Sequence, residues 1–156
     1  MSPEITSEPT NFMQAKWRLA HQVAGFVLIA VFIFKFYLFV FDKHSKKEWM
    51  SVLDFLSPKV WIAQIKYYIF MGPHPHLRGV YNPLQFASYF FFYVILALIC
   101  LTGLVLYAHV YHNGLGGAIY EPARYFEELM GGLANVRTIH RICMWIIMIF
   151  VPIHVY

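Results

Sequence analysis

Residues 137–156 read RTIHRICMWIIMIFVPIHVY, an apolar segment that carries two histidines fourteen residues apart. On an α-helix, fourteen residues rise about 21 Å and complete nearly four turns. His140 and His154 are therefore predicted to lie on the same face of one helix at two depths. Ionisable side chains inside a membrane span are costly, and they usually mark a cofactor, an ion path or a paired polar network.

The composition around this segment is typical of an integral membrane protein. The 156 residues are 60% hydrophobic, 19% aromatic and only 13% charged, whereas a soluble domain is about a quarter charged. The net charge of +4 comes mainly from one loop, and no other basic stripe indicates nucleic-acid binding. Cys100 and Cys143 lie in apolar runs without a CxxCH motif, which argues against a disulfide framework and covalently attached c-type haem.

Three segments are apolar and long enough to span a bilayer as helices. We predict a single membrane domain with spans over residues 13–41, 83–112 and 134–156. Asn82 and Pro83 suit the N-cap and first position of the second span.

The two loops between the spans contain short helical patterns. In the loop of residues 42–82, KKEWMSVLDFL and SPKVWIAQIKYYIFM predict two amphipathic helices in the membrane interface, the second capped by Ser57. The loop of residues 113–133 carries two glycine pairs around a short helix near residues 122–130.

The distribution of basic residues predicts the orientation. Those between the first two spans are Lys43, Lys46, Lys47, Lys59, Lys66 and Arg78. The positive-inside rule then puts residues 42–82 in the cytoplasm and residues 113–133 outside. Residues 1–12 become an outer-side segment without a signal peptide. We therefore expect an earlier first helix, four spans in the intact protein and a truncated C-terminus.

The histidines within the spans predict a cofactor. His21 lies toward the outer side of its span, where it can meet His140, whereas His154 has no counterpart at its depth in this chain. Paired histidines in an apolar helical bundle suit haem better than zinc or a di-iron centre. Hydrogen-bonded packing histidines remain the alternative.

Four further residues near this level suit a haem. Gly25, one turn from His21, would let a flat macrocycle approach the backbone. The other three could pair with propionates: Arg18, Arg137 and Arg141.

Three stretches closely resemble a known family over nearly the whole chain. WRLAHQVAGFVLIAVFIFKFY, YNPLQ and RTIHRICMWIIMIFVPIHVY are similar to the membrane cytochrome b subunit of bacterial nickel–iron uptake hydrogenases, a relative of the formate dehydrogenase cytochrome b subunit. The resemblance implies an all-α integral membrane protein of the bacterial inner membrane. Its fold would be a four-helix transmembrane di-haem cytochrome b bundle, of which three spans are present here.

The resemblance also implies the ligands and the partners. His21 and His140 would bind the outer b-type haem, and His154 would bind the inner one with a histidine on the missing first helix. The subunit would take electrons from a periplasmic hydrogenase small subunit, itself joined to the large subunit, and reduce quinone, with menaquinone expected. The hydrogen chemistry would not be on this chain.

A quinone site is predicted where GPHPHLRGVYNPLQ enters the second span. Asn82 and Gln85 would hold the headgroup, and His74 and His76 would deliver protons. The resemblance supports Asn82 in this role. The alternatives are a helix cap with a proline-stiffened turn, or a His-x-His metal site.

Two other functions remain open from the sequence. One is the cytochrome b subunit of a formate dehydrogenase or thiosulfate reductase. The other is a haem-free membrane anchor or proton-conducting protein that uses these histidines as relays.

Overall fold

The computed structural model describes residues 8–155, except for the side chains of residues 8–12, 44 and 46. Its α-helices are α1 (Glu8–Phe41), α2 (Lys46–Phe55), α3 (Pro58–Tyr68), α4 (Pro83–Val110), α5 (Leu115–Ala118), α6 (Tyr120–Leu129) and α7 (Leu133–Val155). A 3₁₀ turn at Lys43–Ser45 precedes α2. Residues 1–7, most of the predicted outer-side segment, and Tyr156 lie outside the described residues.

Three helices are long and apolar enough to cross a membrane. They are Met13–Phe41 within α1, Pro83–Val110 and Leu133–Val155. This finding confirms the all-α membrane fold with three candidate spans; the second helix ends at Val110 rather than at residue 112, and the third begins at Leu133. α1 itself begins at Glu8, before the predicted start of the first span at residue 13, because Pro9 is compatible with the first turn of a helix.

The central helix of the bundle is α4. It packs against α7 along its length, and it also contacts α1, α2 and α6. Its C-terminal half forms a core with its neighbours, in which Val105 and Ala108 pack against Ala123 of α6 and Val136 of α7. None of the apolar window of α1 is buried, compared with 22% of that of α4. α1 is therefore the least buried of the three candidate spans within the described residues.

The two ends of the bundle carry different elements. α2 and α3 lie at one end, named here the α2–α3 end, and α5 and α6 lie at the other, named the α6 end. At the α6 end, Gly131 and Gly132 have φ values of 84° and 97°, so the turn into α7 uses a conformation that favours glycine. The buried carboxylate of Glu127 lies 3.7 Å from Nδ1 of His109, which ties α6 to α4.

α2 holds the segment that leads into α4. The buried carboxylate of Asp54 accepts hydrogen bonds from the backbone N–H groups of Arg78 at 2.6 Å and Gly79 at 3.0 Å. The hydroxyl of Ser51 accepts one from the backbone of Tyr81 at 3.1 Å. A Cβ at Gly79 would clash with the backbone of Ser51, so the close approach requires glycine there. These contacts, named here the Asp54 brace, fix the start of α4.

The predicted N-cap at Ser57 is correct in position only. Pro58 is the first residue of α3, and Ser57 has the extended backbone of an N-cap, but its side chain makes no capping hydrogen bond. The helix is tied to α2 instead by Trp61, whose indole N–H donates to the carbonyl of Phe55 at 2.7 Å.

Candidate functional site

Two of the predicted histidines meet between α1 and α7. The ring centroids of His21 and His140 lie 6.1 Å apart, and their planes are nearly perpendicular at 82°. The two imidazole rings are therefore close neighbours, and both line the cleft described below.

Thr102 of α4 orients the ring of His140. Its hydroxyl oxygen lies 2.9 Å from Nδ1 of His140 and within hydrogen-bonding distance of the carbonyls of Leu98 and Ile99. Thr102 is fully buried. The contact engages one nitrogen of His140 and leaves the other for a ligand.

The two histidines line an apolar cleft of about 230 Å³, named here the first cleft. Gly25 of α1 and Gly103 of α4 form part of its wall. A Cβ built at Gly25 would meet nothing within 4 Å, so this wall borders open space. A flat group could therefore lie against the backbone at this position.

His154 lines a second apolar cleft, of about 300 Å³, closer to the α2–α3 end. Its ring stacks on Phe150, with the centroids 5.4 Å apart, and meets the edge of Tyr89 at 5.2 Å. Lys35 also lines this second cleft, and its ammonium lies 3.5 Å from the carboxylate of Glu48. Among the described residues that line this cleft, His154 is the only histidine.

The three predicted arginines are close in sequence to the histidines of the first cleft, and their side chains are exposed. Arg18 precedes His21 by three residues and Arg137 precedes His140 by the same spacing, so each lies one turn away toward the α6 end. Arg141 follows His140 directly. All three side chains are exposed.

The predicted quinone residues take part in a helix cap. The Asn82 side chain accepts from the backbone of Gln85 at 2.8 Å, and the Gln85 side chain accepts from the backbone of Asn82 at 3.3 Å. This capping box is the alternative that the sequence left open, and it uses the two amide oxygens. The NH₂ group of Asn82 lies 3.4 Å from the hydroxyl of Tyr68. Both NH₂ groups can still donate to a ligand.

The two loop histidines lie in the segment between α3 and α4. The ring of His74 contacts Tyr67, with the centroids 4.9 Å apart, and its Nδ1 lies 2.9 Å from the carbonyl of Pro75. His76 is exposed. Among the side chains that the structure describes, no three histidine, cysteine or acidic residues form a group that could hold a metal ion.

A series of aromatic contacts connects the cap with the second cleft. Tyr81, which precedes Asn82, has its ring 5.1 Å from Tyr89, and the ring of Tyr89 meets His154. Burial, together with the nearby carboxylate of Glu48, raises the pKa of Tyr81. Its phenol therefore stays protonated at neutral pH.

Sequence reasoning missed three residues in or beside these clefts. Thr102 is the only hydroxyl residue between Tyr93 and Tyr107, and Lys35 is the only lysine, arginine or acidic residue between Arg18 and Asp42. Each of these two polar residues interrupts an apolar run, and this interruption was visible in the sequence. Tyr89 lies in an aromatic run whose members cannot be told apart without the packing.

The comparisons with known proteins assign the family. The sequence model of a family described as prokaryotic cytochrome b561 matches residues 3–156. The chain belongs to this cytochrome b561 family. No solved structure matches it at a significant level.

Several curated proteins that are similar to this chain carry similar names. A "Probable Ni/Fe-hydrogenase B-type cytochrome subunit" of Cupriavidus necator is 29% identical over 150 residues, covering 94% of this chain and 60% of that protein. A "Probable Ni/Fe-hydrogenase 1 B-type cytochrome subunit" of Escherichia coli K12 is 30% identical over 162 residues, covering 99% of this chain and 67% of that protein. The Azotobacter vinelandii relative is 31% identical over 153 residues, covering 94% of this chain and 61% of that protein. The chain thus spans 60 to 67% of the length of these relatives.

Proposed function

We propose that this chain is the b-type cytochrome subunit of a membrane-bound nickel–iron hydrogenase and passes electrons across the membrane to quinone. The observation that carries the proposal is the His21–His140 pair, with its ring centroids 6.1 Å apart in an apolar cleft. The names of the curated relatives support the hydrogenase over a formate dehydrogenase or thiosulfate reductase as the partner. The small and large subunits of the hydrogenase would dock on the periplasmic side of this chain.

The first cleft suits a haem held by His21 and His140. His21 and His140 would hold the haem iron, and the apolar lining with Gly25 and Gly103 leaves room for a flat group. When bound, the haem supplies an iron that alternates between the ferric and ferrous states and carries one electron at a time. Arg18, Arg137 and Arg141 are the candidates for pairing with its propionates.

The second cleft suits a second haem with His154 as one ligand. The second cleft is apolar, like the first. Its histidine, His154, is on α7, the helix that also carries His140, but at the other predicted depth of the membrane. Its other ligand is expected from outside residues 8–155, as the resemblance implies. Lys35 and Tyr89 would then border this site.

The test is the haem content of the purified intact subunit, with each histidine changed in turn. We expect two b-type haems in the parent protein. His21→Ala and His140→Ala should lose the same haem, and His154→Ala should lose the other. A parent without haem would contradict the proposal and favour the haem-free anchor or proton-conducting protein.

The quinone is proposed to bind at the start of α4, on the cytoplasmic side of the inner membrane. The NH₂ groups of Asn82 and Gln85 would donate to its carbonyl oxygen, and His74 and His76 would supply protons as it is reduced. The aromatic contacts from Tyr81 through Tyr89 to His154 support a connection between this site and the second cleft. Menaquinone is the proposed quinone.

Two substitutions at Asn82 separate quinone binding from helix capping. Asn82→Ser keeps a good N-cap but removes the NH₂ donor, whereas Asn82→Ala removes both. If the amide binds quinone, both variants should raise the KM for a soluble menaquinone analogue. If only Asn82→Ala changes it, Asn82 is a capping residue and the proposed site is wrong.

A further inference from the structure

Thr102 of α4 makes a hydrogen-bonded contact with His140 of α7 that helix packing alone does not require. Its hydroxyl oxygen lies 2.9 Å from Nδ1 of His140, 2.7 Å from the carbonyl of Leu98 and 3.2 Å from that of Ile99. The residue is fully buried. A threonine in a membrane helix commonly donates to the carbonyl four residues earlier, but the contact with a histidine of another helix is additional.

The direction of these hydrogen bonds follows from the groups involved. A hydroxyl has one proton to donate, and a carbonyl oxygen can only accept. The short contact with Leu98 takes the proton of Thr102. The hydroxyl oxygen must therefore accept from His140, so Nδ1 carries the proton and Nε2 has the free lone pair.

We propose that Thr102 is a positioning residue that fixes the tautomer of His140 and increases the electron donation of its Nε2 to an iron. The inference rests on the proposed function, because the iron is that of the haem in the first cleft. A metal-bound histidine almost always donates its second N–H to a fixed acceptor, which sets the ring orientation and raises the basicity of the ligand. Stronger donation favours the ferric state, so Thr102 should lower the reduction potential.

The experiment compares two substitutions in the intact, purified subunit. Thr102→Val keeps the shape but removes the acceptor, whereas Thr102→Ser keeps the hydroxyl. The matched control is Thr138→Val on α7, because Thr138 is exposed and bonds only to the carbonyl of Ala134 at 3.0 Å. The readouts are the midpoint potential of each haem from an optical redox titration and the rate of haem loss.

We expect Thr102→Val to move one midpoint potential upward and to weaken haem retention about tenfold or more. Thr102→Ser and Thr138→Val should match the parent in both measurements. The haem that shifts should be the one that His140→Ala removes. If Thr102→Val fails to assemble, Thr102→Cys keeps a similar shape with a weaker acceptor and should give a smaller upward shift.

The two failures can be told apart. Unchanged midpoint potentials in Thr102→Val, or in Thr102→Cys where valine does not assemble, would overturn the role of Thr102 and leave the cytochrome function standing. A shift in the haem that His154→Ala removes would also overturn it. A parent without haem, or a His140→Ala variant that keeps both haems, would instead contradict the proposed function.

Discussion

Gly25 is the residue whose substitution most directly tests the shape of the first cleft. An added Cβ would meet nothing within 4 Å, so alanine should be accommodated there. A large side chain at the same position would extend into the space beside His21. Helix packing therefore does not require glycine at this position, and a substitution there would test the proposed haem site.

We predict that Gly25→Phe reduces the haem content by one of the two proposed haems. The phenyl ring would occupy the cleft between His21 and His140, so the affected haem should be the one that His140→Ala also removes. The control is Ala30→Phe, because Ala30 is exposed on the same helix and does not line the first cleft. The pyridine haemochrome content of both variants checks the prediction, and full haem in Gly25→Phe would contradict it.

The candidate residues differ in how far the sequence could predict them. His140 and His154 could be predicted because helix geometry alone fixes their common face and their separation. The contact of His21 with His140 could be anticipated from their depths. The role of Thr102 could not, because its partner lies 38 residues away on another helix. Only the packing of α4 against α7 brings the two side chains together.

At the scale of the elements, α2 is a fixed support for the start of α4. Its amphipathic pattern predicted a helix in the membrane interface, and the structure contains that helix. The pattern did not predict the Asp54 brace, which joins residues 24 and 25 positions apart. An acidic residue in an amphipathic helix is usually assigned to its solvated face, whereas Asp54 is only 2% exposed.

We predict that Asp54→Ala increases tryptic cleavage after Arg78. A hydrogen bond to a charged group contributes about 1.5–3 kcal/mol, and the carboxylate makes two of them to this segment. Opening of the segment should therefore become about tenfold or more frequent, since about 1.4 kcal/mol corresponds to a factor of ten. The initial cleavage rate in detergent-solubilised protein is the measurement.

Glu121→Ala is the matched control for this experiment, because Glu121 is an exposed carboxylate on α6. Its cleavage rate after Arg78 should equal that of the parent. Asp54→Asn keeps an acceptor oxygen without the charge and should give an intermediate rate. Equal rates in the parent and Asp54→Ala would mean that the brace does not stabilise this segment.

For the whole molecule, hydropathy predicted the three spans because a bilayer demands long apolar helices. It could not predict which helix is central, since the most apolar windows of α1 and α4 have the same mean hydropathy of 2.5. The structure distinguishes them by burial, with 22% of the α4 window buried and none of that of α1. The side of the membrane on which each end lies is predicted from the basic residues of the first loop, and it would set the direction of the proposed electron transfer across the membrane.

We predict that the α2–α3 end faces the cytoplasm. A single cysteine replaces Lys59 in α3, to report on the α2–α3 end, or Asn113 before α5, to report on the α6 end. Both positions are exposed, so a labelling reagent on the same side of the membrane can reach them. The native Cys100 and Cys143 lie within spans, so they should react little with a membrane-impermeant maleimide. In intact spheroplasts, Asn113→Cys should be labelled and Lys59→Cys should not be.

Lysis of the spheroplasts is the internal control, because it should make Lys59→Cys reactive as well. Labelling of Lys59→Cys before lysis, with Asn113→Cys protected, would mean that the orientation is inverted. The Asn82 site would then face the periplasm and the His21–His140 pair would lie toward the cytoplasm. An outer hydrogenase would meet the second cleft first, so the proposed direction of electron flow through this chain would be wrong even if both haems were present.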